Sequence, residues 1–371
     1  KNVVYFEWSS PAPYDYLSMD KSRIKLAILL RSYALNCLHV DLILITSFFE
    51  GFSDNCCTEV DFDIVKIPIL SIFYDLIPLI NPNLYLNNNP DFERYYRSKL
   101  KEMRKLDGLL AISSSSAKEA KKFLQFNQDH VFNISSACDK EVFNTSVPKA
   151  SSNLIDVRQY TPYILYAGAN DPRKNVKSLL EAFSQFPSNL SSHKLVLVGK
   201  LLQPELELLD CWIKLFKIDT SKIIKTGFVT DDHLVQLLKN CDLFVFPSIH
   251  EGFGLPVLEA MSCGAPVIGS NCTSIPEVLG MEAAMFDPNN INEIKNLMIK
   301  GLTDEDFNEA LRRNSIKQSI KFSWSKTSRD AVLACKSIIN SRKSNSNLLT
   351  WDSFSKINHN QFNLLISKLR D

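Results

Sequence analysis

Along most of this chain, apolar runs that stop at a glycine, a proline or a hydroxyl residue alternate with stretches whose apolar positions recur at helical spacing. The first pattern is that of a strand buried on both faces, the second that of an amphipathic helix. Their alternation predicts parallel sheets covered by helices, an α/β class. In the first half, strands are expected at Asp41 to Thr46, Pro68 to Tyr74, Gly108 to Ile112 and Val131 to Ile134. Helices are expected at Ser22 to Leu35, Pro90 to Lys105 and Ser115 to Phe126. Asn2 to Phe6 also reads as a strand, so the sequence is expected to open inside a domain, as a segment of a longer protein would.

Val147 to Asn153 is polar and reads as a linker, after which the alternation restarts. Strands are expected at Tyr163 to Gly168, Lys194 to Gly199, Asp242 to Pro247 and Ala265 to Gly269, and helices at Val176 to Phe186, Asp231 to Asn240 and Pro256 to Ser262. The expected organisation is a domain over 1–153, a second over 154–339, and a polar linker with a terminal segment over 340–371. In that last segment the polar stretch Ser341 to Asn347 breaks the pattern, and Trp351 to Leu369 forms a short amphipathic piece.

Open parallel sheets place ligands beyond the carboxyl ends of their strands. Gly168, Gly199, Pro247 and Gly269 mark such ends, and directly after Pro247 comes the run from His250 to Ala260. It sets Glu251 and Glu259 astride a glycine-rich turn, Gly252 to Leu255, that opens a helix. Unpaired N–H groups, a positive dipole end and close backbone approach make such a turn an anion cradle. Glu251 is placed to accept hydrogen bonds from sugar hydroxyls, and Glu259 from those of a ribose. A second loop, Gly168 to Asn175, offers adjacent cations at Arg173 and Lys174, suited to the charge that builds on a departing diphosphate.

Composition narrows the partners. With 42 basic and 41 acidic residues and a formal charge of +1, the chain lacks the overall basic field of a nucleic-acid binder. Nine scattered cysteines without a CxxC pair point to a reducing cytoplasm rather than a disulfide framework or zinc site. No apolar run is long enough to span a membrane. His39, His130, His193, His233, His250 and His359 lack ligand spacing, and Asp61-Phe62-Asp63 is a common loop spacing, so no metal site is expected. Arg94, Arg97, Lys99, Lys101, Arg104 and Lys105, with Lys118, Lys121 and Lys122, read as solvated helix faces; the sharper reading is attraction to anionic lipid.

On these motifs the second half resembles the donor domain of glycosyltransferase family 4. The resemblance rests on the loop ending at Asn175, Leu195 to Gly199, Thr226 to Val229, the run from Phe244 to Gly280, Phe286-Asp287-Pro288 and Phe322-Ser323-Trp324. Tyr74 to Leu79, Leu110 to Ser113 and Ala137 to Asp139 with Phe143 match more loosely, and are similar to mannosyltransferase-like modules of bacterial polysaccharide synthesis. The resemblance implies a GT-B fold, two Rossmann-like domains with parallel sheets facing across a cleft, the segment after Trp324 crossing back toward the first domain. It implies retaining transfer of a hexose to a saccharide or lipid-linked glycan acceptor in O-antigen-like synthesis, with mannose from GDP-mannose as the first donor and a dTDP- or UDP-sugar left open because no side chain marks the base. No cofactor or obligatory metal is implied.

Carried over by residue, Lys174, Arg173, Glu251 and Asp75 fall in the catalytic set. Glu259, Gly252, Phe253, Gly254, Leu255, Gly168, Val229 and Tyr74 fall in donor binding, Val229 reading the base through its backbone. The expected place is the cytoplasm, with peripheral contact at the inner face of the inner membrane and other modules in a longer chain. Two features depart from the family: Tyr74 stands where many relatives have His, and the Gly-rich loop after the first strand is not found. A catalytically silent GT-B domain serving as a sugar-binding or scaffold module is the alternative. A GT-B phosphorylase or epimerase would need a base or cofactor lysine for which no motif is present.

Overall fold

The computed structural model describes Tyr5, Tyr16–Ser18, 21–38, 40–146 and 157–343. The expected first strand (save Tyr5), the linker at Val147 to Asn153, the stretch from Trp351 to Leu369, His39 and His359 therefore lie outside the described residues. Two compact units form. The first takes the described residues through Ile112 with 117–134 and 329–343, and the second takes 113–116 and 135–328, without the masked residues between them.

In the first unit the order is α1 Lys21–Cys37, β1 Ile43–Ile45, β2 Ile69–Phe73, α2 Ile77–Ile80, α3 Pro82–Tyr85, α4 Pro90–Met103, β3 Gly108–Ala111, α5 Ser114–Phe123 and β4 Val131–Asn133. Its sheet runs β1-β2-β3-β4, all parallel. Successive side chains go to opposite faces, so Ile69, Phe73, Leu109 and Ala111 join Tyr96, Leu100 and Met103 in one core. Leu70 and Leu110 join Ile134, Ala334 and Ile338 in another.

The second unit follows with β5 Tyr163–Ala167, α6 Val176–Ser184, β6 Lys194–Val198, α7 Gln203–Leu215, β7 Ile223–Gly227, α8 Asp231–Asn240, β8 Leu243–Phe246, α9 Leu255–Ser262, β9 Val267–Ser270, α10 Ile275–Leu279, β10 Met285–Phe286, α11 Ile291–Thr303, α12 Glu305–Ser319 and α13 Trp324–Lys343. Its parallel strands lie in the order β10-β9-β8-β5-β6-β7. That is the doubly wound order whose direction reverses between β5 and β8, the switch point where such sheets take ligands. The loops leaving β5 and β8 are the two singled out by their residues.

Three expectations change. The division near 153 moves to 134/135 for the described residues, because Cys138 Sγ lies 3.2 Å from Ser262 Oγ and Lys140 Nζ donates to the Ser319 carbonyl at 3.1 Å, tying this stretch to the second unit. Lys99 is not on a solvated face: it is 1% exposed, with Nζ 2.8 Å from Thr58 Oγ1 and 3.0 Å from Glu59 Oε1. Tyr96, Lys99 and Met103 share one helical stripe, and the stripe is the buried one. Arg94, Arg97 and Lys105 stay outside, paired locally with Asp91, Glu93 and Glu102. The polar stretch expected to begin at Ser341 is still helical through Lys343. From Arg329 onward α13 belongs with the first unit, as the crossing-back expectation had it.

Candidate active site

β8 is wholly buried and delivers the chain to Ser248 at the carboxyl edge of the sheet. There the loop from β5 is stitched to it. Ile249 N–H donates to the Arg173 carbonyl at 2.7 Å, and Arg173 Nη1 donates to the His250 carbonyl at 3.0 Å. Asn175 Nδ2 donates to the carbonyls of Pro247, at 3.3 Å, and Pro288, at 2.8 Å. Asn175 itself sits at φ 57, a left-handed conformation that asparagine tolerates better than most residues. Asp171 accepts from Arg173 N–H at 3.0 Å and so sets the turn that presents both cations.

The two loops meet at one oxygen. Glu251 Oε1 lies 2.7 Å from Lys174 Nζ, 2.9 Å from Arg173 Nη1 and 2.6 Å from Ser248 Oγ. Glu251 Oε2 has no partner among the described residues. The carboxylate is thereby held by one oxygen while the other remains available to a ligand. Lys174 is 8% exposed, and its Nζ stands 5.0 Å over the Phe246 ring. Burial pulls its ammonium below the usual lysine range, against the opposing pull of Glu251.

Next in the chain, Gly252, Phe253 and Gly254 are buried, and the N–H groups of Gly252, Phe253, Gly254 and Leu255 find no acceptor among the described residues. Buried backbone donors are nearly always paired, so a run of free ones at the positive end of a helix is a built receptor for anionic oxygens. Gly254 makes the turn possible: its φ is +106, and a Cβ there would meet Ile275 Cδ1 at 2.7 Å.

One turn into α9, the half-buried Glu259 carboxyl makes no hydrogen bond or ion pair among the described residues. Burial first, then Asp231 at the start of α8, raises its pKa to about 7. A ligand whose hydroxyls donate to this carboxyl would favour its charged form, so binding such a ligand would expel a proton below that pKa. The KM for a nucleotide-sugar is expected to be lowest above pH 7 and to rise about tenfold between pH 7.5 and pH 6, a dependence abolished in Glu259→Gln. Steady-state kinetics across that range checks it, because the donor's own phosphodiester groups do not titrate there.

With this geometry in hand, comparison with known proteins is specific. Residues 155–318 match the family model described as glycosyl transferases group 1. The chain is 39% identical over 331 residues to the serotype-specific mannosyltransferase WbdA of Escherichia coli, covering 88% of this chain and 40% of that protein. It is 32% identical over 257 residues to the O-antigen chain mannosyltransferase B of Escherichia coli, covering 66% of this chain and 65% of that protein. The crystal structure of Anabaena Alr3699/HepE in complex with UDP and glucose is similar in fold, with a TM-score of 0.64 at 19% identity over 90% of this chain and 84% of that one. The fold is of the GT-B type. It spans about 40% of the length of its WbdA relatives.

Within the second unit of this GT-B chain, Arg173, Lys174 and Glu251 come together, directly beside the Gly252–Leu255 amides. Gly168 closes β5, its N–H donating to the Val198 carbonyl at 2.8 Å. Val229 is half-buried two residues beyond β7. The Phe253 ring packs edge-on to Phe322 at 5.6 Å, so only its backbone serves the cradle. Tyr74 and Asp75 belong to the first unit, at the carboxyl end of β2. Tyr74 OH donates to the Thr46 carbonyl at 3.1 Å, and Asp75 Oδ1 accepts from Ile77 N–H at 3.0 Å, the turn-forming contact of an Asx residue. Ser248, which orients Glu251, was given no role by the sequence; its position right after the β8 run and three residues before the glutamate was the available signal. Among the described residues no cluster of three or more His, Cys, Asp or Glu could hold a metal ion, and no helix is long and apolar enough to cross a membrane.

Proposed function

We propose that this chain is a retaining family 4 glycosyltransferase module that moves a hexose, mannose from GDP-mannose in the first instance, onto a saccharide hydroxyl of an O-antigen-like surface polysaccharide. The observation that supports it most is the junction of Arg173 and Lys174 with Glu251 Oε1, directly beside a run of unpaired amides. In this reading Lys174 and Arg173 take up the charge that grows on the diphosphate as the sugar–oxygen bond breaks, so no divalent metal is required. Glu251 Oε2 and the elbow amides hold the sugar and distal phosphate, Glu259 the ribose, and Val229 the base through its backbone. The acceptor hydroxyl attacks from the leaving-group face, forming the new glycosidic bond as the old one breaks, and its proton passes to the departing phosphate. Asp75 keeps the catalytic role and Tyr74 the donor-binding role that the family resemblance implies.

The mannose and O-antigen assignments draw on what the names of the Escherichia coli relatives state, and the greater length of WbdA supports further modules in the parent chain. The acceptor is read as a lipid-linked glycan, met at the cytoplasmic face of the inner membrane. Thermal shift with GDP, UDP and dTDP tests the donor reading. GDP at about 100 times its dissociation constant is expected to add about 2.7 kcal/mol to stability. No stabilisation by any of the three would overturn the assignment, and binding without transfer or donor hydrolysis in the full-length parent would leave the catalytically silent module. The anomeric configuration of the product, read by NMR, decides retention.

A further inference from the structure

The elbow that carries the unpaired amides is fastened by residues far from it in sequence. Residues 113–116 stand between β3 and the body of α5, yet they pack as part of the second unit. Ser113 and Ser116 are 0% and 1% exposed. Ser113 Oγ donates to the Gly252 carbonyl at 2.6 Å, and Ser116 Oγ donates to the same oxygen at 3.0 Å. Ser113 Oγ also accepts from Ser116 N–H at 2.9 Å and lies 3.0 Å from Ser116 Oγ; its one proton is best spent on the shorter contact, to the Gly252 carbonyl, which leaves the Ser116 proton for the other lone pair of that oxygen. Beside them Ser114 N–H donates to Glu277 Oε2 at 2.7 Å. A helix cap alone would need Ser113 and its bond to Ser116 N–H; it would not call for a second hydroxyl on one remote carbonyl.

A trans peptide is planar, so the carbonyl of one residue and the N–H of the next point in opposite directions. Fixing the Gly252 oxygen therefore fixes the Phe253 N–H, one of the amides without an acceptor. An elbow with glycine at 252 and 254 has the freedom to rotate that peptide, and rotation would turn a carbonyl oxygen toward the anion. We infer that Ser113 and Ser116 are positioning residues of the donor site, which by gripping the Gly252 carbonyl keep the Phe253 amide aimed at the oxygens joining distal phosphate and sugar. This rests on the donor reading above.

The test is the affinity of wild type, Ser113→Ala/Ser116→Ala and Ser114→Ala for GDP, UDP and dTDP and for the matching monophosphates, by calorimetry. For the diphosphate that wild type binds best, the double variant is expected to lose about tenfold in affinity while changing less than about twofold toward the monophosphate. Ser114→Ala, which keeps the backbone bond to Glu277, is expected to match wild type for both. Should the double variant not fold, Ser116→Ala, which leaves the Ser113 cap intact, is expected to lose about threefold toward the diphosphate alone. Unchanged diphosphate affinity, or equal loss toward both nucleotides, would overturn the positioning role while leaving the donor reading in place. A wild type that binds no diphosphate would overturn the donor reading and this inference with it.

Discussion

Lys174→Ala is expected to lower kcat about 10²–10³-fold, the range seen when one preorganised group that meets developing negative charge is removed. Three features of the site argue for a large effect. Lys174 is 8% exposed, so water cannot substitute for its ammonium. Its Nζ is fixed from two sides, 2.7 Å from Glu251 Oε1 and 5.0 Å over the Phe246 ring. The positive charge is already in place before the bond breaks, so no reorganisation is needed at that moment. Arg173, 2.9 Å from the same oxygen, is expected to limit the loss, since one cation would still meet the phosphate of the proposed donor. Donor KM should move much less than kcat, because the interaction strengthens chiefly in the transition state. Steady-state transfer kinetics separates the two, and an unchanged kcat would remove Lys174 from the catalytic set.

Glu251→Gln is expected to lower kcat/KM about 100-fold, because an amide keeps the shape but not the charge that orders Ser248, Arg173 and Lys174 and that, in the proposed function, receives the sugar hydroxyl. It also shifts the pH profile. Burial already draws the Lys174 ammonium down, and Glu251 is the largest influence drawing it up. With that carboxylate neutralised, Lys174 loses its proton at lower pH than in wild type. The active form is the charged one, present below the lysine pKa and lost above it, so the alkaline limb of kcat moves to lower pH. Stability should fall by about 2 kcal/mol in chemical denaturation, as expected when buried cations lose their counter-ion but retain a hydrogen-bond acceptor. A variant whose alkaline limb coincides with wild type would break the link between the two residues.

The sheet skeleton was legible because buried parallel strands are written as short continuous apolar runs. Tyr163 to Ala167 and Leu243 to Phe246 stood out for that reason, with ends displaced by one residue. The elbow was legible because Gly254 signals its left-handed turn directly. What could not be read depends on contacts between distant residues. Lys99 looks like any helix-surface lysine until Thr58 and Glu59 are brought to it. Ser113 and Ser116 satisfy the local rules of a helix start, and nothing local says that they also grip Gly252. Short 3-residue β1, with its centre exposed, carried too few apolar positions to fix its ends. The boundary at 134/135 escaped notice because residues 135–146 are polar enough to pass for the approach to a linker.

That boundary bears on any attempt to isolate the second unit. Since Ser113–Ser116 belong with it while their flanking residues do not, and since Arg329 onward belongs with the first unit, no single scission yields an intact second unit. A fragment begun at residue 154 discards the serine clasp on Gly252 and the Cys138–Ser262 contact together. The polypeptide is threaded so that neither half is a separable bead, and the amide elbow keeps its shape only in a chain left whole.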